Sequence, residues 1–272
     1  MKYGFLGVGN MAGAIIKGLI SNGEDGGNIY IYDVFQETLN NFKAEYNCVP
    51  MQSQDELVAL CDVLLLSVKP NILDKILPTL KKNLGFNNPI IISIAVGKTI
   101  EYLEEGFGKD KKIVRVMPNI NAKVMQSTSG YCSNSKATIE DENIVVKLFS
   151  AVGSMTKIPE NMFSIFSVLA GSSPAFVYLY IDALARAAQK AGMPKAQAVE
   201  IVANTVMGSA KMILESSGHP WEHIDNVCSP GGTTIEGIAA LEEFNFQTTI
   251  TKAFDAVLEK DLLIQKANNK KS

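Results

Sequence analysis

Gly4-Phe5-Leu6-Gly7-Val8-Gly9-Asn10-Met11-Ala12-Gly13-Ala14-Ile15-Ile16 is the stretch that decides the fold. The residues ahead of Gly7 (KYGFL, 2–6) form a short apolar run of strand type. Past Gly9 the spacing turns helical, with Met11, Ile15, Ile16, Leu19 and Ile20 on one broad face over 10–22. A glycine-rich turn between a strand and a helix is the context that a dinucleotide-binding fingerprint requires. Gly7 permits the tight turn, Gly9 lets the backbone approach a pyrophosphate, and the small Ala12 lets helix and strand pack closely. Phosphates would rest on the free amides of this segment, so Gly7, Val8, Gly9, Asn10 and Met11 are candidate cofactor contacts.

The next strand-like run, NIYIY at 28–32, leads into Asp33, 20 residues past Gly13. A carboxylate there accepts hydrogen bonds from a ribose 2′-OH and repels a 2′-phosphate. Val34, Phe35 and Gln36 offer no arginine to reverse that, so the residues favour NADH over NADPH. The alternative is an Asp33 turned away, or serving as N-cap for the helix predicted over 35–46.

Farther along stand VLLLSV (63–68), PIIISIAV (89–96) and KIVRVM (112–117). Short Val- and Ile-rich runs bounded by Pro, Gly or charge read as strands buried on both faces of a parallel sheet. Strand–helix alternation at this pitch predicts a doubly wound, Rossmann-like α/β domain over 1–158, with 128–133 and 153–158 as candidate edge strands. Loops at the carboxyl ends of such strands face the cofactor. They are Ser67-Val68-Lys69-Pro70 and Ser93-Ile94-Ala95-Val96-Gly97; Lys69 either reaches the ribose–pyrophosphate region or stands solvated.

From about residue 160 the strand signals vanish, which predicts an all-α second domain over 159–272. PAFVYLYIDALARAAQKAG ends at Gly192; Met193-Pro194 opens the next helix with proline in its first turn, and Gly218 closes it. Another helix follows Thr233, and a last one runs from about 247 to 267. The helix at 174–191 is apolar around much of its circumference, and that at 195–215 carries Ala198, Val199, Ile201, Val202, Val206, Ile213 and Leu214. Helices this apolar lack enough partners in one chain, which predicts an interlocked dimer.

Inside that half, VCSPGGTTIE (227–236) sets two glycines, three hydroxyls and a proline ahead of the helix-like GIAALEE. Gly231 and Gly232 let the backbone wrap close to a ligand, and Ser229, Thr233 and Thr234 supply hydroxyl donors. The pattern suits a nest for a small carboxylate built without Arg or Lys. A helix terminus contributes only ~0.3–1 kcal/mol when exposed and up to ~2 when partly buried, so several donors must act together. A proline-glycine turn with a Thr N-cap is the plainer alternative.

Composition sets the outer bounds. A length of 272 residues suits two domains. With 47% hydrophobic and 19% charged residues the chain is neither disordered nor fibrous. The net charge of −3, without a basic stripe, argues against nucleic acid. Cys48, Cys61, Cys132 and Cys228 lie far apart with no CxxC pair, which predicts a reducing, cytoplasmic setting. The start MKYGFLGVGNMAGAII reads as folded chain rather than a secretory leader, since glycines and an asparagine interrupt its apolar run. No unbroken run approaches the roughly 18 apolar residues of a membrane span. His219 and His223 stand four apart, but Pro220 lies between them and no third ligand is evident, so no metal is expected.

The set GVGNMAGAI, SVKP, SIAVG, VMPN, LAGSSPAFVY, VMGSAKM and DNVCSPGGTTIEGI resembles pyrroline-5-carboxylate reductase, from Gly4 to about Lys266. The resemblance implies a Rossmann-like first domain and a helical second domain that forms an interlocked dimer, often assembled into rings of dimers. It implies hydride transfer from NADH or NADPH to the cyclic imine 1-pyrroline-5-carboxylate, giving L-proline. Ser229, Gly232, Thr233 and Thr234 would then hold the substrate carboxylate, with Thr234 near the ring nitrogen as the catalytic candidate. Val68, Lys69, Pro70, Ala95 and Gly97 would line ribose and nicotinamide, and Asn119 joins the cofactor set. Two departures stand out. The family commonly reads Met-Pro-Asn-Thr-Pro where this chain has Met117-Pro118-Asn119-Ile120-Asn121. Many members carry small hydroxyl residues near position 33 and favour NADPH, so Asp33 marks a shift toward NADH. Hydride transfer to an iminium needs placement rather than a strong acid, which fits the lack of a compelling His, Asp or Glu. Other readings are a related imine or 3-hydroxyacid reductase, the latter disfavoured by the lack of Lys over 173–186, or a silent nucleotide-binding paralogue.

Overall fold

The structure, a computed structural model, describes residues 1–84 and 88–269. It forms two compact units: Met1–Gly171 with the last segment from Asp261, and Ser172–Lys260. Sequence character changes near 158, yet the first unit holds the chain as far as Gly171. The extra length includes the short helix α7 (Phe163–Phe166) and all but the last residue of a π-helical turn at Ser167–Ser172; Phe163, Val168 and Ala170 are buried there.

The first unit alternates β1 (Tyr3–Leu6), α1 (Asn10–Ser21), β2 (Ile29–Tyr32), α2 (Gln36–Tyr46), β3 (Val49–Pro50), α3 (Gln54–Leu60), β4 (Val63–Leu66), α4 (Pro70–Asn83), β5 (Ile90–Ser93), α5 (Ile100–Phe107), β6 (Ile113–Met117), β7 (Ser127–Ser133), α6 (Ile139–Ser150) and β8 (Gly153–Lys157). Among the described residues these eight strands make one sheet, ordered β3-β2-β1-β4-β5-β6-β7-β8. All pairings are parallel except β6 with β7. The predicted 128–133 strand is therefore internal, and β8 forms the edge.

Why these runs become central strands follows from their two-sided burial. Along β1, β4 and β5 every residue is buried. Successive side chains alternate between faces. Phe5, Val63, Leu65 and Ile92 join Ile15, Ile16, Leu39 and Phe149 from α1, α2 and α6 in one core. Leu6, Leu64, Leu66 and Ile91 join Leu57, Leu73, Leu77, Leu103 and Phe107 from α3, α4 and α5 in the other. Each fully buried Leu, Ile or Phe contributes about 1.5–3 kcal/mol relative to exposure, so no polar face is tolerated on these strands.

The second unit is helical: α8 (Ser173–Lys190), α9 (Lys195–Glu215), α10 (Pro220–Val227), α11 (Thr233–Glu243) and the first part of α12 (Phe246–Asn269). Pro194 precedes α9 as its N-cap, at ψ 130°, rather than standing inside the first turn. The helix also stops at Glu215, short of Gly218. α8 packs along α9, but the apolar residues buried in this unit are only Pro174, Ala185, Ala198 and Val202 among those described. Leu214 and Phe244 are 84% and 79% exposed, with Leu179 and Met207 also largely uncovered. One helical stretch, Glu160–Lys190, has the length and composition of a membrane span, although no unbroken apolar run marks it in the sequence.

Candidate functional site

Parallel register aligns the strand ends that carry the sequence-predicted cofactor contacts. Leu6 pairs with Tyr32 on one side and Leu66 on the other, and Leu66 with Ser93. Gly7, Asp33, Ser67 and Ile94 therefore leave the sheet at a common level. Ser67 ties two of these exits together: its hydroxyl donates to the carbonyls of Gly7 (2.6 Å) and Leu6 (3.1 Å).

Gly7 turns the chain at φ +89°, a conformation that L side chains rarely adopt. Its amide donates to the Tyr32 carbonyl at 2.8 Å. A Cβ at this position would stand 2.9 Å from Val68 Cγ1 and 3.1 Å from the Ser67 carbonyl oxygen. Gly9 then acts as N-cap of α1 with no side-chain capping bond, and the first turn holds no acidic residue. Nothing lies within 4 Å of where its Cβ would be. Gly9 and Asn10 are exposed and Met11 half-buried, so the amides opening α1 face an unobstructed space. An open cleft of about 530 Å³ runs along these turns, lined by Val8, Gly9, Asn10, Lys17, Phe42 and Lys123 among others.

Asp33 differs from a freely presented ribose ligand. Its Oδ2 accepts from the Val8 amide at 2.7 Å and its Oδ1 from the Phe35 amide at 3.1 Å. The Val8 N–H, expected among the phosphate donors, is thus already engaged. The carboxylate charge is pinned at the end of β2, and each oxygen keeps a further lone pair for another donor.

Lys69 is exposed and stands as N-cap of α4, with Pro70 in the first turn, where a missing N–H costs nothing. In the loop after β5, Ala95 is buried, Val96 is exposed and Gly97 turns at φ +77°. Directly after it comes a residue the sequence reading passed over. Lys98 is buried, its ammonium bonds Asp74 of α4, and it sits 4.0 Å from the centroid of the Tyr102 ring. A lysine after a glycine turn reads as solvated; only the distant Asp74 and Tyr102 reveal otherwise.

The Asn119 side chain is engaged within the chain. Buried at the end of β6, it donates from Nδ2 to the Ala170 carbonyl (3.0 Å) and accepts at Oδ1 from the Thr128 amide (3.2 Å). Its own amide donates to Ser127 Oγ, which contacts Ser129 Oγ at 3.0 Å. The residue fastens the π-helical turn to the sheet. Neighbouring Ile120 is exposed.

In the second unit, α10 runs into the 228–232 turn. The Gly232 amide closes it onto the Ser229 carbonyl at 2.9 Å, and Gly231 sits at φ +68°. Gly232 is the N-cap of α11 and makes no side-chain cap; a Cβ there would lie 2.5 Å from Ser229 Oγ. Thr233 and Thr234 are therefore the first helical residues rather than the cap. Both are exposed, as is Ser229, so three hydroxyls and the unpaired amides of the first turn open on one segment. Glu236 adds a carboxylate to the same turn. The two histidines have local roles: His219 Nδ1 accepts from the Trp221 amide at 3.2 Å, and His223 Nε2 bonds Ser216 Oγ at 2.8 Å. Burial pushes the thiols of Cys48, Cys61 and Cys132 up to about 11, 12 and 12, which keeps them protonated and inert.

Residues 160–262 match the family model for pyrroline-5-carboxylate reductase dimerisation, and residues 2–97 match that for NADP oxidoreductase, coenzyme F420-dependent. The pyrroline-5-carboxylate reductase of Escherichia coli (strain K12) is 38% identical over 267 residues, covering 98% of this chain and 99% of its own. The solved pyrroline-5-carboxylate reductase of Coxiella burnetii superposes with a TM-score of 0.91 at 32% identity, covering 96% of this chain and 97% of that one. The Plasmodium falciparum pyrroline carboxylate reductase, solved with NADP bound, gives 0.83 at 32% identity over 96% of this chain and 97% of its own.

Proposed function

The chain belongs to the pyrroline-5-carboxylate reductase family, and from that premise we propose how its residues divide the work of reducing 1-pyrroline-5-carboxylate to L-proline. It is an oxidoreductase of proline biosynthesis that draws on NAD(P)H and assembles as a homo-oligomer through its helical half. The single observation that carries the substrate assignment is the uncapped start of α11. Its free amides and the hydroxyls of Ser229, Thr233 and Thr234 are donors with no acceptor in the chain's own cap. Such donors hold a carboxylate and do not ligate a metal ion. Glu236 on the same turn means that aligned N–H and O–H groups, rather than net charge, do the holding.

The cofactor, when bound, supplies a hydride. The residues that fit it are the Gly7–Met11 segment, where a Cβ at Gly9 would enter the open approach, and the 67–70 and 95–97 loops. The substrate's ring nitrogen can arrive protonated; the new C–H bond forms at ring C5, and the C=N electron pair goes to nitrogen, which keeps its proton. No general acid is needed, and Thr234 contributes by orienting the ring. Catalysis then rests on placement, with the reacting atoms ~3–3.5 Å apart.

For the cofactor's identity, the fixed Asp33 charge favours a free ribose 2′-OH, hence NADH, and the exposed Val34 and Phe35 supply no compensating cation. Exchange of Asp33 for Ser is expected to raise the kcat/KM ratio of NADPH to NADH about tenfold, on the scale of a like-charge repulsion in a partly solvated site. Steady-state kinetics with both cofactors measure it; an unchanged ratio removes Asp33 as selector. We read the span-like stretch Glu160–Lys190 as an oligomer-interface helix, since the dimerisation match begins at residue 160. Four free cysteines, three of them buried, suit a cytoplasmic setting, and a dimer or ring of dimers is the assembly proposed.

The test of the function is cofactor oxidation by the purified protein on adding the imine. Turnover supports the reading. Tight cofactor binding without turnover would instead favour a regulatory, catalytically silent role.

A further inference from the structure

The loop Ala95–Gly97 reverses in a tight turn at its tip, where Val96 is exposed and Gly97 is left-handed. What fixes it is the residue that follows. The Lys98 amide donates to the Ala95 carbonyl at 3.3 Å, and its side chain, 7% exposed, reaches Asp74. Tyr102, on the first turn of α5, donates its hydroxyl to the same Asp74 oxygen and lays its ring 4.0 Å from the Lys98 ammonium. Asp74 in turn lies near the start of α4, whose N-cap Lys69 accepts at its carbonyl from the amides of Ile72 (2.9 Å) and Leu73 (3.0 Å). One ammonium therefore ties the end of the loop after β5 to the first turns of α4, the helix that the loop after β4 leads into.

Stability alone is a poor reason for this arrangement. Lysine is almost never fully buried unless paired. Here the ammonium is buried while Asp74 is half-exposed, and ion pairs, exposed or buried, add little net stability, so this one is better understood as fixing geometry. We propose that Lys98 is a positioning residue for hydride transfer: through Asp74 and Tyr102 it holds the 95–97 loop against the 68–70 loop and so sets the resting place of the nicotinamide ring. This rests on the proposed function, in which those two loops flank that ring.

Lys98→Met keeps the stem and removes the charge. It is expected to lower kcat about tenfold while leaving the inhibition constant of AMP, a probe of the adenosine end, within about twofold. It should also enlarge the primary isotope effect measured with cofactor deuterated at the transferred position. Asp74→Asn should move kcat and isotope effect the same way, and Lys98→Arg should restore most of the rate. An unchanged kcat overturns the proposal. So does a lower kcat with an unchanged isotope effect, which reports a smaller active fraction, or one that falls in step with AMP affinity, which reports general damage. The wild-type protein run alongside separates the two levels. A wild type silent toward the imine overturns the functional reading itself; an active wild type matched by Lys98→Met overturns only the positioning role.

Discussion

Thr234→Ala lowers kcat/KM for 1-pyrroline-5-carboxylate by about 10- to 150-fold, and leaves the dissociation constant of the nicotinamide cofactor within about twofold, if the 229–234 turn holds the substrate as proposed. The size follows from a hydrogen bond to a charged group, worth about 1.5–3 kcal/mol. The assignment to the site rather than to the fold follows from the structure. Thr234 is exposed, in the first turn of a helix whose N-cap position is Gly232, so its hydroxyl closes no cap. Alanine is moreover the better helix former, by up to about 0.7 kcal/mol, so loss of the fold does not compete as an explanation. Thr234→Ser keeps the hydroxyl and should retain most of the activity. Steady-state kinetics with a fluorescence titration of the cofactor check the split. A rate unaltered by the alanine variant removes Thr234 from the site.

The second large effect is expected at Gly7. Alanine there must adopt φ near +89°, at about 1–2 kcal/mol, with its Cβ 2.9 Å from Val68 and 3.1 Å from the Ser67 carbonyl oxygen. Relief requires the strand exits to separate, against the Gly7–Tyr32 and Ser67–Gly7 hydrogen bonds. A loss of about 2–4 kcal/mol in unfolding free energy and at least about 100-fold in cofactor affinity is the expected result. Gly9→Ala is the informative contrast. Position 9 has φ −80° and nothing within 4 Å of a new Cβ, so the fold should not notice it. Only an approaching pyrophosphate would. Denaturation midpoints together with cofactor titrations separate the cases: Gly7→Ala moves both, Gly9→Ala moves the titration alone. A Gly9→Ala protein that binds cofactor as the wild type does would place the pyrophosphate elsewhere.

Much of the sheet was legible because its central strands are buried on both faces, and continuous Val, Ile and Leu leave little room for another reading. β1, β4 and β5 fall within the predicted runs, trimmed at their ends where Ser67 or Ile94 enters a loop. β3 was not legible: two residues carry no periodicity, and Val49 and Pro50 pair only with β2. The internal place of β7 was hidden too, since antiparallel pairing with β6 is a matter of topology rather than of local pattern. At the site, the glycines declared themselves through spacing, whereas long-range partners did not. Nothing near Asn119 in sequence announces Ala170, and nothing near Lys98 announces Asp74. Val8 is similar, its amide taken by a carboxylate 25 residues away.

The near-absence of buried apolar side chains between Ser172 and Lys260 has a thermodynamic consequence. A segment whose interior is completed by neighbouring subunits obeys mass action: its unfolding is at once a dissociation, and its apparent melting point rises with the logarithm of protein concentration. Dilution thus acts on this half of the chain as denaturant acts on the sheet.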